Sequence, residues 1–254
     1  MIEPQSKKQT QKQDETSDFS RHLVTVSDPT GMASEAYRAL RTSLLFARVE
    51  APPKAILITS PGSAEGKTTT CANLAVVLAQ AGKRTLIIDG NLRNPSVHRI
   101  FGLPIFNGLV DVLTGKLSFS EVCKEPLRKE AWKEPLPIEA RRESLPGLNA
   151  ITSGALPTNP TELLSSDRFA QIIYQASQLF DYVLIDSPST ESVADPMIIA
   201  RQSDAVLLVL DSGTRKGSLR EAMRDLEYVG VNVLGTVMNR VEKKRLKAIK
   251  DNHL

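Results

Sequence analysis

The sequence has little of several features that mark whole classes of protein. It contains only two cysteines, Cys71 and Cys123, too few for a disulfide framework and without metal-ligand spacing, so we interpret both as reduced thiols. Its 32 basic and 29 acidic residues leave a net charge of only +3, which gives no indication of nucleic-acid binding. The longest apolar runs, such as AVLLVL at 205–210, are far too short to span a membrane, and the N-terminus has no apolar signal segment. These absences predict a soluble, cytoplasmic protein.

What is present is enough for one large α/β domain, since 41% of the 254 residues are apolar. Residues 1–30 are polar and poor in bulky apolar groups, which predicts a disordered tail. We expect the globular domain to cover residues 31–241 and a basic tail to cover residues 242–254. The domain opens with apolar residues at helical spacing, for which Ser34 is a suitable N-cap.

A charged, proline-containing segment interrupts the domain at residues 124–145. The pattern predicts an exposed, irregular excursion with a helical turn around Trp132. Two readings stay open here, a loop that docks a partner and a surface insertion that loops accept at little cost.

Short β-like runs alternate with helical patterns along the rest of the chain. Most are almost continuously apolar, as expected for strands that helices cover on both faces, which predicts a doubly wound, mainly parallel sheet. Ligands of such sheets bind beyond the carboxyl ends of the strands. The runs occupy residues 54–60, 84–89, 148–153, 181–186, 205–211 and 231–239.

A phosphate-binding loop follows the first of these strands. The stretch SPGSAEGKTTT at 60–70 joins a strand to a helix and ends in Gly66, Lys67 and Thr68, the arrangement of a P-loop. Lys67 is suited to neutralise the β- and γ-phosphates, and the Thr68 hydroxyl to ligate Mg²⁺. The strict pattern has glycine where this chain has Pro61, but the strand–loop–helix context predicts a nucleotide site.

Two further strands end in an acid, Asp89 in TLIID and Asp186 in YVLID. Either aspartate alone could simply cap a following helix. Both together, at the strand ends beside a P-loop, predict a site for magnesium and ATP.

Several stretches together resemble the bacterial protein-tyrosine kinases that accompany capsule and exopolysaccharide export. The resemblance covers residues 31–241 and includes EAYRALRTSL, the P-loop, LIIDGNLRNP and YVLIDSP, with GLVDVLTG and SGALPTNPTELLSS as further matches. It implies a P-loop fold and an ATP-dependent protein-tyrosine kinase with Mg²⁺. No signature of the eukaryotic kinase fold occurs in the chain.

The resemblance also implies roles for individual residues. Lys67, Asp89, Asp186 and Arg93 become catalytic candidates, with Asp89 accepting the tyrosine proton; for Arg93 a contact with a neighbouring subunit is the alternative. Thr68, Asp89 and Asp186 become the metal ligands. Nucleotide binding falls to Gly62, Ser63, Ala64, Glu65, Gly66, Lys67, Thr68, Thr69 and Asn239, where Asn239 either recognises adenine or caps the last strand.

The resemblance further implies partners. By resemblance to the family, Glu35, Arg38 and Arg41 are expected to form a contact between subunits of a ring. The residues alone predict an ordinary ion pair within one helix. We expect protein tyrosines as substrates and a membrane-spanning activator that recruits the chain to the inner face of the plasma membrane.

Two departures from the family pattern bear on the kinase activity that the resemblance implies. The family pattern has aspartate where this chain has Asn91, and losing such a group near a metal typically costs about 10–100-fold in metal affinity or activity. The chain also lacks a C-terminal tyrosine cluster: its four tyrosines are Tyr37, Tyr174, Tyr182 and Tyr228. We therefore expect any activity to be directed at another protein.

Two alternatives to an active kinase stay open. One is an ATP-dependent switch of the ParA/MinD kind, although the lysine typical of that group is replaced by Gly62. The other is a weakened kinase that binds ATP and assembles with its activator but transfers no phosphate, which Asn91 favours.

Overall fold

A computed structural model of the chain describes residues 22–46, 52–126 and 145–241. Residues 1–21, the basic tail at 242–254 and most of the charged excursion, with Trp132, lie outside the described residues. Within the described ranges, no helix is long and apolar enough to cross a membrane.

Six strands form one sheet in which every neighbouring pair is parallel. The spatial order is β3-β2-β4-β1-β5-β6, so the chain crosses over β4 between its first two strands. This confirms the predicted doubly wound sheet. The strands are β1 (Ala55–Thr59), β2 (Thr85–Asp89), β3 (Leu148–Ile151), β4 (Tyr182–Asp186), β5 (Ala205–Asp211) and β6 (Val233–Asn239).

Helices cover both faces of the sheet. They are α1 (Val24–Ser27), α2 (Met32–Leu45), α3 (Lys67–Gln80), α4 (Val97–Phe101), α5 (Leu109–Leu113), α6 (Phe119–Val122), α7 (Pro160–Leu164), α8 (Asp167–Leu179), α9 (Asp195–Arg201) and α10 (Lys216–Val229).

Two apolar cores lie on opposite faces of the sheet because successive strand residues point to opposite sides. Leu57 and Ile88 belong to one core with α7–α10, while Ile56 and Ile87 belong to the other with α3. All four are fully buried, and burying one such side chain contributes about 1.5–3 kcal/mol. The central strands and α3 are therefore the rigid frame of the domain.

The structure corrects the prediction of disorder for residues 22–30. Thr25 is fully buried, and its N–H and hydroxyl both donate to Asn73 Oδ1 on α3, at 3.1 and 2.9 Å. The Asn73 amide in turn donates to the His22 carbonyl at 2.6 Å. The sequence pattern missed this segment because its partner is a buried polar side chain some fifty positions away.

Ser34 is also not the N-cap that we predicted. Gly31 occupies the cap position of α2, and Ser34 lies inside the first turn. Its buried hydroxyl donates to the carbonyls of Val24, at 3.0 Å, and Asp28, at 2.6 Å. Ser34 therefore ties α2 to α1, and both helices pack against α3.

Candidate active site

The P-loop connects β1 to α3 in a conformation that most side chains would resist. Gly66 has φ +95° and Ala64 has φ +58°, both in the left-handed region. Backbone strain of about 1–3 kcal/mol per residue is typical of functional sites, where the surrounding structure enforces it. Here Glu65, only 7% exposed, accepts the Gly62 N–H at 3.2 Å and the Thr214 hydroxyl at 2.6 Å.

Lys67 is the first residue of α3 and its side chain lies under the loop. Its Nζ donates to Ser60 Oγ at 2.9 Å and to the Gly62 carbonyl at 3.4 Å. Burial lowers the pKa of Lys67, while Asp186 and Glu65 act to raise it. The ammonium thus lies beside the loop and the helix N-terminus, where phosphate oxygens bind in P-loop proteins.

Asp89 and Asp186 end the adjacent strands β2 and β4, and both are fully buried. Asp89 Oδ2 accepts the N–H groups of Ser96 and Val97, each at 3.0 Å, and Oδ1 accepts the Asn91 N–H at 3.3 Å. Burial, then the charge of Asp186, raises the pKa of Asp89. Burial also raises the pKa of Asp186. Two buried carboxyl groups in register on adjacent strands favour a shared proton or a bound cation.

The arrangement of these groups fits Mg²⁺. Thr68 Oγ1 donates to Asp186 Oδ2 at 2.6 Å, whereas Asp186 Oδ1 is buried without a hydrogen-bond partner. Magnesium is usually held by one or two carboxylates together with substrate phosphates. Among the described residues, no group of three or more His, Cys, Asp or Glu side chains is placed to bind a metal ion by itself, without phosphate oxygens as further ligands. Thr68, Asp89 and Asp186 are therefore suited to a metal that also binds the nucleotide.

A cavity of about 440 Å³ opens next to the P-loop. Its volume is within the usual range for small-molecule sites. Gly62 to Glu65 form one wall, and the end of β5 with the loop after it forms the other, through Asp211, Thr214 and Arg215. Arg240 also lines the cavity, and its guanidinium lies 2.6 Å from Asp211 Oδ2.

Comparison with known proteins agrees with this geometry. The CobQ/CobB/MinD/ParA nucleotide binding domain family matches residues 56–253. The tyrosine-protein kinase YwqD of Bacillus subtilis (strain 168) is 37% identical over 222 residues, which are 87% of this chain and 86% of that protein. The putative tyrosine-protein kinase CapB of Staphylococcus aureus is 36% identical over 214 residues, 84% and 86% of the two chains.

A solved structure gives the same result. The kinase domain of the Escherichia coli tyrosine kinase ETK has a TM-score of 0.77 and 33% identity, covering 87% of this chain and 80% of that one. The chain belongs to the bacterial tyrosine-protein kinases. The resemblance predicted from the sequence is thereby confirmed. The matched nucleotide-binding family also includes MinD and ParA, so the relationship to them lies in the shared domain.

In this bacterial tyrosine-protein kinase, Arg93 is bound by a carboxylate that the sequence did not reveal. Its Nε and one terminal nitrogen lie 2.7 and 3.2 Å from the buried Asp195 carboxylate, and the same nitrogen donates to Thr161 at 2.9 Å. This contact gives Arg93 a structural role within the chain. Its predicted catalytic role stays a prediction.

Asn239 lies at the P-loop, as its predicted role requires, but its amide is used inside the chain. The Nδ2 donates to the Glu65 carbonyl at 3.1 Å, and Oδ1 accepts the Arg240 N–H at 2.9 Å. Asn239 therefore holds the P-loop in place. Adenine recognition by this residue stays a prediction.

The side chains of Glu35, Arg38 and Arg41 make contacts within the chain. Arg38 forms an ion pair with Glu35 on the same helix, as the residues alone predicted. Arg41 donates to the Val77 carbonyl of α3 at 3.1 Å. The contact between subunits remains a prediction.

Two residues of the site, Ser96 and Thr214, were missed by sequence reasoning. Ser96 donates its backbone N–H to Asp89 and its hydroxyl to Thr68, at 3.0 Å each. Thr214 donates to Glu65. Neither belongs to a motif with fixed spacing, so only the folded chain reveals them. Ser60, the first residue of the predicted phosphate loop, accepts from Lys67.

Proposed function

We propose that this chain is an ATP-dependent protein-tyrosine kinase that transfers the γ-phosphate of ATP to tyrosine hydroxyls of proteins in capsular or exopolysaccharide biosynthesis and export. The observation that carries the proposal is the buried pair Asp89 and Asp186 in register beside Thr68 and Lys67. The similarity to tyrosine-protein kinases supports the same reaction.

Each side chain has a place in the transfer. The P-loop N–H groups and Lys67 would hold the phosphates, with Mg²⁺ on Thr68, Asp89 and Asp186 neutralising their charge. Asp89 Oδ1 has one long hydrogen bond whereas Oδ2 has two, so Oδ1 is the atom better placed to take the tyrosine proton. The tyrosine oxygen then bonds to the γ-phosphorus, and ADP leaves with the electrons of the broken bond.

The cavity beside the P-loop supports a place for the base and ribose. Thr214 lines it and holds Glu65, so the loop after β5 would respond to nucleotide binding. Asn239, which donates to the Glu65 carbonyl, would hold the P-loop in position beside the base. We assign recruitment to the inner face of the plasma membrane to a membrane-spanning partner, and assembly into a homo-oligomer to the Glu35, Arg38 and Arg41 surface.

A second candidate, a nucleotide-driven switch that transfers no phosphate, rests on Asn91. Its Oδ1 accepts the Asn94 N–H at 3.1 Å, and its side chain supplies no charge beside the acidic pair. The two candidates differ in their product, since only the kinase makes phosphotyrosine.

The test is a reaction of the purified chain with Mg·ATP and a random glutamate–tyrosine copolymer. ADP and phosphotyrosine are measured by mass spectrometry, with Lys67→Ala as the inactive variant and Lys116→Ala, an exposed lysine, as its matched control. Phosphotyrosine that persists in Lys116→Ala and disappears in Lys67→Ala supports the kinase. ADP without phosphotyrosine would support the switch instead.

A further inference from the structure

Ser96 occupies the N-cap position of α4, but its side chain does not cap the helix. A serine in this position normally accepts a backbone N–H of the first turn with its hydroxyl oxygen. Here Asp89 Oδ2 takes that part, because it accepts the N–H groups of Ser96 and Val97 at 3.0 Å each. The acid at the end of β2 thus satisfies the start of the helix, and the Ser96 hydroxyl is used elsewhere.

The Ser96 hydroxyl is directed into the site, towards the P-loop. Its Oγ donates to Thr68 Oγ1 at 3.0 Å. Ser166, at the N-cap of α8, shows the ordinary arrangement for comparison, since its side chain accepts the Phe169 N–H at 3.4 Å. The two serines hold the same helical position, but Ser96 turns its side chain to a candidate metal ligand.

The hydroxyl of Thr68 has one proton and two lone pairs to share among its neighbours. The proton is donated to Asp186 Oδ2, at 2.6 Å, since an ionised carboxylate can only accept a hydrogen bond. One lone pair accepts the Ser96 hydroxyl. A single lone pair therefore remains on Thr68 Oγ1, and the two hydrogen bonds fix the direction in which it points.

Two contacts hold the Thr68 hydroxyl more firmly than one. With Asp186 alone as its partner, the Thr68 side chain could pivot about that hydrogen bond and turn its lone pairs. The bond from Ser96 opposes this pivot. The difference matters because Mg²⁺ demands near-ideal octahedral geometry from its ligands. Groups that orient a metal ligand typically contribute about 10–100-fold to metal affinity.

We propose that Ser96 is a positioning residue whose hydroxyl holds Thr68 with one lone pair turned to the metal of the Mg·ATP complex. This inference rests on the proposed kinase function, which assigns Mg²⁺ to Thr68, Asp89 and Asp186. The contacts of Ser96 reach both sides of the site, since its N–H donates to Asp89 and its hydroxyl to Thr68. Ser96 thereby sets the proton acceptor and the metal ligand relative to each other.

Substitution can separate the two contacts, because one is made by the backbone and the other by the side chain. Ser96→Ala retains the N–H that Asp89 accepts and removes the hydroxyl. It removes no capping bond, since the hydroxyl makes none. A change in Mg²⁺ affinity without a large change in stability is therefore the expected signature of a positioning role.

The experiment measures binding of a fluorescent ATP analogue to the full chain over a series of Mg²⁺ concentrations, without a tyrosine substrate. Ser96→Ala should raise the Mg²⁺ concentration for half-maximal binding by about tenfold or more. Ser96→Thr retains a hydroxyl and should restore the original value. Manganese(II), bound in place of Mg²⁺ and counted by electron paramagnetic resonance, should show the same two changes.

Two further variants separate this effect from an effect on folding. Ser96→Gly also lacks the hydroxyl and suits an N-cap almost as well as serine does, so it should reproduce Ser96→Ala. Ser166→Ala is the matched control, since it removes a side chain that does cap its helix. It should lower the urea concentration at the midpoint of unfolding and leave the Mg²⁺ dependence unchanged, whereas Ser96→Ala should do the reverse.

Phosphotyrosine on the glutamate–tyrosine copolymer, formed by the unaltered chain, separates the possible failures. If the copolymer is labelled and Ser96→Ala binds the analogue with the original Mg²⁺ dependence, the inference is overturned and the kinase function stands. A loss that Ser96→Thr does not restore also overturns it, because the hydroxyl is then not the cause. If the unaltered chain forms no phosphotyrosine and binds the analogue equally well without Mg²⁺, the inference and the kinase function fail together.

Discussion

Asp89 and Asp186 are paired in register at the carboxyl ends of two adjacent parallel strands, and neither carboxylate is accessible to solvent. A basic side chain, Lys67, lies near Asp186 and counteracts part of its pKa shift. The pair is therefore arranged for a cation, and the charge that a bound metal supplies should be visible in the stability of the protein.

The acidic pair predicts a pH-dependent stability in the absence of metal. Burial and the neighbouring charge raise the pKa of Asp89 to about 8, well above its value in an unfolded chain. Protonation therefore favours the folded state, so this contribution is complete below about pH 4 and is lost as the pH rises through about 8. We expect the melting temperature in chelator to fall between pH 6 and 9.

Asp89→Asn should flatten that profile and raise the free energy of unfolding at pH 8 by about 1–3 kcal/mol, because it removes a buried, unpaired charge. Urea unfolding at pH 6 and pH 8 measures both effects. Asp225→Asn, which changes a 43% exposed side chain of α10, is the control and should leave the profile as it is. A profile that Asp89→Asn does not alter would exclude this carboxyl as the cause.

Asn91→Asp should strengthen the dependence of the reaction on magnesium. An aspartate can still accept the Asn94 N–H that Asn91 accepts at 3.1 Å, so the turn is retained while one negative charge is added. We expect the Mg²⁺ concentration for half-maximal phosphotyrosine formation to fall by about 10–100-fold. Asn94→Asp adds the same charge to an exposed side chain of the same loop and should have little effect. Equal changes in both variants would indicate a general charge effect.

Gly66→Ala should abolish ATP binding and destabilise the chain. Gly66 has φ +95°, and an added Cβ would lie 2.0 Å from Asn239 Nδ2. The left-handed conformation alone costs about 1–3 kcal/mol in a residue other than glycine. Removing the amide as well, in Gly66→Ala with Asn239→Ala, should restore stability only in part. Binding is measured with a fluorescent ATP analogue and stability with urea.

The control for that substitution is Gly217→Ala near the start of α10, where a Cβ meets no atom within 4 Å. It should stabilise the chain by about 0.5–1 kcal/mol, since alanine favours helix more than glycine does. Full ATP binding by Gly66→Ala would contradict the geometry of the loop.

Arg93→Ala should lower the free energy of unfolding, whereas the rate of the reaction by the folded variant should change little. Asp195 is fully buried, so loss of the guanidinium leaves its carboxylate with Thr161 as its remaining side-chain donor, at 2.8 Å. Breaking a buried pair costs about 3–5 kcal/mol, which we reduce to about 1–3 because the Arg93 side chain is 41% exposed. Urea unfolding and initial rates at a temperature where the variant is folded separate the two effects.

Arg93→Lys keeps the charge but not the two-nitrogen contact and should recover part of the lost stability. A variant with normal unfolding and a rate reduced by a factor of ten or more would instead assign Arg93 to the reaction, as the resemblance implied.

The sequence by itself determined the sheet, the P-loop and the two strand-end acids. These follow from local patterns, because a buried parallel strand needs a continuous apolar run and a phosphate loop needs its glycines, Lys67 and Thr68 in consecutive order. Since parallel strands end at one edge, the acids that follow them were expected near the loop. The N-cap of α2 was predicted wrongly at Ser34 and lies at Gly31. The Ser34 hydroxyl instead donates to the carbonyls of Val24 and Asp28, contacts that only the packing of α1 against α2 creates.

The tertiary structure decided the contacts that join distant parts of the chain. Arg93 meets Asp195 across 102 positions, Thr214 meets Glu65 across 149, and Asn239 meets Glu65 across 174. No spacing rule links such pairs, because a hydrogen bond depends on positions in space that only the packed sheet defines. The exposure of Tyr228 is likewise a property of the fold, because it depends on which face of its helix packs against the sheet.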